Sequence, residues 1–283
     1  MWRSGQLPYN SSSMLQIVIL KFTQHHGIVR LPVLGRSKQI QCCYIMAEVF
    51  FNGPAGRIEG RYTKSENARA PLALVLHPHP LYGGTMNNKV VYTVYKTLVD
   101  NGFTVLRMNF RGVGRSQGQF DNGVGEMTDA ATALDWLQIN NPASSLNLIA
   151  GFSFGSWIAM QLIMRRPEIN NFIAVSPPVN KYDFSFLSQC PISGFIVQGD
   201  SDSIVSEESV LELAHKLSKQ RHITVDYKII QGADHFFRNK IDEFSQSISD
   251  YLTLRLFSDN RDTSDNLMNQ GSVTKSVKKV YLD

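Results

Sequence analysis

The sequence predicts an α/β fold in which a mostly parallel sheet is covered by helices, and three observations carry that expectation. Short, near-continuous apolar runs such as Leu72 to His77 and Leu146 to Ala150 suit strands buried on both faces. These runs alternate with longer segments whose apolar residues fall at helical spacing, the pattern from which parallel sheets are built. At Gly151-Phe152-Ser153-Phe154-Gly155 an apolar run meets a helical one across a single turn, with a serine in the middle.

Taken in order, residues 1–45 show no sustained periodicity apart from the brief apolar run Met14 to Leu20, and they read as a leader outside the domain. Lys21 ends that run and no small-residue cleavage site follows, which argues against a signal peptide; the acid-free, Arg- and Ser-containing composition is closer to a transit peptide. A start at Met46 is the favoured reading, because regular structure begins at Ala47. The domain is expected over 46–257. Two strand-like runs, Ala47 to Asn52 and Arg57 to Thr63, flank the turn chemistry of Gly53-Pro54-Ala55-Gly56 and form a hairpin. The Leu72 to His77 strand follows, then a Pro/Gly-rich loop, a helix over Lys89 to Val99 closed by Asn101-Gly102, and a strand over Phe103 to Asn109. Glu126 to Ile139 reads as a helix, Leu146 to Ala150 as a strand, and Ser156 to Arg166 as a helix that Pro167 stops. Strands at Asn171 to Val175, Gly194 to Gln198 and Ile223 to Ile230 are separated by a helix over Ser206 to Leu217, and Ile241 to Leu254 closes the domain. Residues 258–283 are polar and cannot bury enough apolar surface to offset the entropy of ordering, so a flexible tail is expected.

Composition narrows the function classes. Length and ordinary apolar and charged fractions indicate a soluble globular protein. Cys42, Cys43 and Cys190 form neither a C-x-x-C pair nor an even framework, so a reducing compartment, the cytoplasm, is expected. No apolar run reaches the roughly 18 residues of a membrane span. Of the net charge of +4, residues 1–45 hold Arg3, Lys21, Arg30, Arg36 and Lys38 and no acid, which leaves the body near neutral and disfavours nucleic acid as a partner. The expected partner is a small-molecule acyl substrate; the oligomeric state is open.

The G-x-S-x-G junction reads as a nucleophile elbow, in which the serine sits on a strained turn and the flanking glycines let backbone pass closely. A serine hydroxyl needs a base to take its proton, and the base needs an acid to hold its tautomer. In open α/β sheets such groups lie just beyond the carboxyl ends of strands. Two loops after Ser153 qualify, Gly199-Asp200-Ser201-Asp202-Ser203 and Gly232-Ala233-Asp234-His235-Phe236-Phe237. His235 is the histidine with the right address. Asp202 is preferred to Asp200 as the acid, because the carboxylate must reach beyond the strand end; Asp200 is expected to brace its own turn, and Asp234, adjoining His235, to point away. The oxyanion donors are expected to be the N–H of Phe154 and, because Pro78 and Pro80 have none, that of His79, with Leu81 as the fallback. His77 and His79 lack a third ligand at metal spacing, and Gly112-x-Gly114 fails the dinucleotide fingerprint at Gln117, so neither metal nor cofactor is expected and Arg111 is left for ion pairing. Tyr82, Tyr182, Phe184, Phe236 and Phe237 are candidates to line an acyl site.

The segments HPHPLYGGTMNNKV, NFRGVGRSQGQFDNGVGE and GFSFG resemble those of the α/β-hydrolase superfamily, and more narrowly a bacterial group of small hydrolases, over about Ala47 to Leu254. The resemblance implies an eight-stranded sheet with only its second strand antiparallel, and Ser153, Asp202 and His235 as a catalytic triad. Fewer than 20 residues separate the strand ending near Val175 from the one starting near Gly194, so little or no lid is expected. The leading expectation is a serine hydrolase acting on a carboxylic ester or related acyl bond. A peptidase or amidase on the same triad, and a binding module without catalysis, are the alternatives.

Overall fold

Alternation of side chains along a strand decides where the helices must lie. The computed structural model describes residues 22–23 and 45–256. Its strands are β1 (Phe22–Thr23), β2 (Ile45–Gly53), β3 (Gly56–Lys64), β4 (Leu72–Leu76), β5 (Thr104–Met108), β6 (Asn147–Phe152), β7 (Asn171–Val175), β8 (Gly194–Gly199) and β9 (Val225–Ile230). The helices are α1 (Lys89–Asp100), α2 (Val124–Ile139), α3 (Phe154–Ile163), α4 (Glu207–Ser218) and α5 (Ile241–Arg255).

One sheet holds them in the order β1-β2-β3-β5-β4-β6-β7-β8-β9. Strand β3 runs antiparallel to β2 and β5, and every pairing from β5 to β9 is parallel. Counted from β2, these are the eight strands expected, with the second antiparallel. The two-residue β1 extends the edge by pairing Phe22 with Ala47 and Thr23 with Met46. The rest of the expected leader, and the tail over 258–283, lie outside the described residues.

In β4, Leu72, Leu74 and Leu76 face a core shared with α2, α3 and α4, while Ala73 and Val75 face a second core with α1 and α5. That two-sided burial is why the run carries no alternation. Element ends follow local chemistry: Pro54-Ala55 closes the β2–β3 hairpin, Asn88 caps α1 by accepting from Val90 N, and Ser206 caps α4 by accepting from Ser209 N. Among the described residues no helix is long and apolar enough to cross a membrane.

The strand order turns back on itself at β4, which lies between β5 and β6. A crevice opens at such a reversal, beyond the carboxyl ends of the parallel strands.

Candidate active site

Strand β6 runs two residues further than its apolar pattern suggests, through Phe152, and Ser153 follows at φ 53° and ψ −120° as the residue before α3. A non-glycine residue at positive φ is strained, so the surrounding packing must hold it there. A Cβ on Gly151 would lie 2.3 Å from the Gly155 carbonyl oxygen, and one on Gly155 would lie 2.5 Å from Leu76 O and 2.6 Å from His77 O. The two glycines thus let the elbow close on itself and on the end of β4. Ser153 N donates to Val175 O at 2.8 Å, and the Ser153 carbonyl accepts from Ser156 N at 2.8 Å and Ser156 Oγ at 2.6 Å. Ser153 Oγ has no hydrogen-bond partner among the described residues, which leaves it open to a base or a reactant.

Beyond β8 and β9 the two candidate loops interlock. Gly199 packs against Ala233, where a Cβ would meet the carbonyl oxygen at 2.3 Å, and Asp200 Oδ1 accepts from Gly232 N at 2.6 Å. Asp200 therefore braces the neighbouring loop as well as its own turn, where its Oδ1 also accepts from Ser201 Oγ at 2.9 Å; its carboxylate reaches across because β8 and β9 are adjacent and end level. Asp234 accepts from Phe236 N at 3.2 Å and Arg238 N at 2.8 Å and so shapes the loop that carries the histidine.

Asp202 is buried and meets His235: Nδ1 and Oδ2 are 2.7 Å apart. A carboxylate only accepts, so the imidazole carries its proton on Nδ1 and leaves Nε2 as the basic nitrogen. Asp202 Oδ1 accepts from Ile204 N at 2.8 Å and Val205 N at 2.9 Å, and Oδ2 also accepts from Gln198 Nε2 at 3.1 Å. Burial by itself would raise the Asp202 carboxyl; the hydrogen bond and charge of His235 and the two backbone N–H groups outweigh it and hold the group below its ordinary value. Phe152, one residue before Ser153, packs its ring 5.0 Å from that of His235.

Opposite the elbow, the β4–α1 loop is built around His77. This ring is buried, donates from Nδ1 to Pro78 O at 2.6 Å and accepts at Nε2 from Phe110 N at 3.0 Å. Both nitrogens are thereby engaged. Burial pushes its pKa down to about 4, the Pro78 carbonyl opposing and the charge of His79 adding to the shift. His79 precedes a 3₁₀ turn over Pro80–Tyr82, and its Nδ1 accepts from Leu81 N at 3.2 Å. The fallback donor is consumed within its own turn, which leaves the His79 N–H. Phe154 is the first residue of α3, where backbone N–H groups have no partner inside the helix. The His79 and Phe154 rings lie 5.0 Å apart.

The loop is pinned from the exit of β5. Asn109 Oδ1 accepts from Met86 N at 2.9 Å, its Nδ2 donates to Glu59 at 2.9 Å, and Arg107 Nη1 donates to Met86 O at 2.7 Å. Arg111 pairs in a fork with Asp129, at 2.9 Å from Nε and 2.8 Å from Nη2. The glycine-rich segment is a structural turn, with Gly112 and Gly114 at positive φ.

Around Phe154 stand His79, Trp157, Tyr182 and Phe120, and Trp157 stacks on Tyr182 at 4.3 Å. Tyr82 and Leu81 are exposed at the rim, at 84% and 67%. Phe236 stands edge-on to both Phe152 and His235. Two expected lining residues lie elsewhere. Phe184 is buried in the core and stacks on Phe186, and Phe237 is buried against Phe244, because their apolar rings gain more from the core than from the rim. Reading the chain alone missed Gln198, His77 and Asn109 as parts of this site; the signal for Gln198 was a polar residue inside an otherwise apolar strand.

The family described as X-Pro dipeptidyl-peptidase (S15 family) matches residues 64–274. An uncharacterized protein of Rickettsia prowazekii (strain Madrid E), RP471, is 70% identical over 211 residues, which is 73% of this chain and 89% of that protein. The crystal structure of ATU1826, a protein of unknown function from Agrobacterium tumefaciens, is similar at a TM-score of 0.71 and 51% identity, over 77% of this chain and 97% of that one. XC6422 from Xanthomonas campestris, an α/β serine hydrolase without a lid, superposes at a TM-score of 0.66 with 30% identity, over 73% of this chain and 93% of that one. With the sheet order, the serine at its strained turn and these matches together, the chain belongs to the S15 family and, through it, to the α/β hydrolases.

Proposed function

We propose that this chain is a serine hydrolase that cleaves a carboxylic ester through an acyl-enzyme. Ser153 Oγ attacks the acyl carbon as His235 Nε2 takes its proton, and Asp202 holds the Nδ1–H tautomer and stabilises the imidazolium. The N–H groups of Phe154 and His79 receive the oxyanion. His235 then returns the proton to the departing alkoxide; a water molecule, deprotonated by the same nitrogen, attacks the acyl carbon, and as the Ser153 Oγ–acyl bond breaks that proton passes to Oγ and the acid is released. The observation that carries the reading is the 2.7 Å bond between Asp202 and His235, whose ring packs 5.0 Å from that of Phe152, the residue before a serine held at positive φ.

Tyr82, Tyr182 and Phe236 support an apolar acyl group, since they stand at the rim or are half-buried beside Phe154 or His235. Cys190, a buried free thiol, accords with a cytoplasmic location. A peptidase is the second reading, favoured by the S15 match; it asks more of His235, because an amine leaves only once protonated.

A fluorophosphonate probe, followed by a panel of p-nitrophenyl esters and X-Pro p-nitroanilides, tests both. Labelling at Ser153, its loss in Ser153→Ala and faster turnover of the esters are expected. Labelling elsewhere would remove Ser153 as the nucleophile, faster anilide cleavage would select the peptidase, and no labelling of a folded chain would favour a binding module.

A further inference from the structure

Gln198, the penultimate residue of β8, is fully buried in a strand whose other positions are apolar or glycine. A buried primary amide is costly unless hydrogen-bonded. Its Nε2 lies 3.1 Å from Asp202 Oδ2, 3.0 Å from Val205 O and 3.2 Å from Gly199 O, while Oε1 has no partner among the described residues. The amide orientation is dictated by these contacts, because an oxygen facing a carboxylate and two carbonyls would be repelled by all three. A strand selected for stability alone would carry an aliphatic side chain here and leave no orphaned oxygen.

We propose that Gln198 is a positioning residue for the Asp202–His235 pair. It rests on the triad reading above. Asp202 Oδ1 is held by Ile204 N and Val205 N, and Oδ2 is shared by His235 Nδ1 and Gln198 Nε2. Four donors then fix the carboxylate plane. The Gln198 bond also draws negative charge from the oxygen that faces the imidazole, so it sets both the direction and the strength of the Nδ1–H bond.

The test uses Gln198→Met and Gln198→Leu in the full chain, with Asp202→Asn and Ser153→Ala as controls. Met and Leu approximate the buried volume and lack the donor, and thermal unfolding reads what is lost when Asp202 Oδ2, Val205 O and Gly199 O lose it. The downfield proton resonance of His235 Nδ1–H should move further downfield in both variants and vanish in Asp202→Asn. Fluorophosphonate labelling should slow about tenfold, the loss expected of one hydrogen bond to a charged group, with kcat on the best ester falling and KM nearly unchanged. An unmoved resonance would overturn the proposal, whatever happens to melting temperature or rate. If labelling persists in Ser153→Ala, the catalytic reading fails while the resonance still decides the role of Gln198.

Discussion

Replacing Asp202 with Asn tests the acid through the four hydrogen bonds it accepts. In one amide orientation the new Nδ2 faces His235 Nδ1 and Gln198 Nε2; in the other it faces Ile204 N and Val205 N. Either way two donors meet a donor. Leaving buried donors unmatched costs about 1–3 kcal/mol each, so the folded state would lose roughly 2–4 kcal/mol after relaxation. The first orientation offers an escape: His235 moves its proton to Nε2 and accepts at Nδ1. That relieves the clash with His235 and removes the base, since Nε2 is the atom that takes the Ser153 proton in the proposed mechanism. Turnover should then fall by a factor on the order of 10⁴, about 5.4 kcal/mol in the barrier. Asp200→Asn is the matched control. Its Oδ1 can still accept from Gly232 N and Ser201 Oγ, so activity should fall by less than about tenfold. Fluorophosphonate labelling rates and kcat/KM on one p-nitrophenyl ester, with thermal unfolding of both variants, provide the measurement. A larger loss in Asp200→Asn than in Asp202→Asn would refute the assignment of the acid.

Two further outcomes follow from the packing of the elbow. His77 has its folded pKa lowered to about 4, against about 6.5 when unfolded. Between these values the unfolded chain binds a proton that the folded chain does not, so stability should decline as pH falls from 6.5 to 4, by about 3 kcal/mol in all, and this contribution should level off below pH 4. His77→Gln should flatten that slope in unfolding free energy; an unchanged slope would mean that His77 is not what titrates. Gly155→Ala places a methyl 2.5 Å from Leu76 O and 2.6 Å from His77 O, backbone atoms that cannot turn aside. A loss of about 2–4 kcal/mol and a slower probe reaction should result, measured by denaturant unfolding and labelling, and full stability would show that the elbow is looser than its contacts imply.

What the sequence determined by itself were the features set by neighbours along the chain. Periodicity located every element from β2 to α5 to within a few residues, turn chemistry closed the β2–β3 hairpin, and the two glycines around Ser153 announced a turn with no room for side chains. The candidate groups after Ser153 could also be put in order, because strand ends carry such groups in sequence. The tertiary structure decided what depends on atoms far apart in the chain. Strand order, with β5 inserted between β3 and β4, has no local signature. Asp200 and Asp202 share one loop, and only the seating of that loop against the β9–α5 loop shows which carboxylate meets His235 and which braces Gly232. Phe184 and Phe236 are chemically alike, yet one enters the core and the other stands beside the histidine. His77 and Gln198 gain their places through partners at Phe110 and Asp202, across the fold or around a loop. Apolar pattern measures how much surface a residue wants to bury; which group it will face is settled only when the strands are laid side by side.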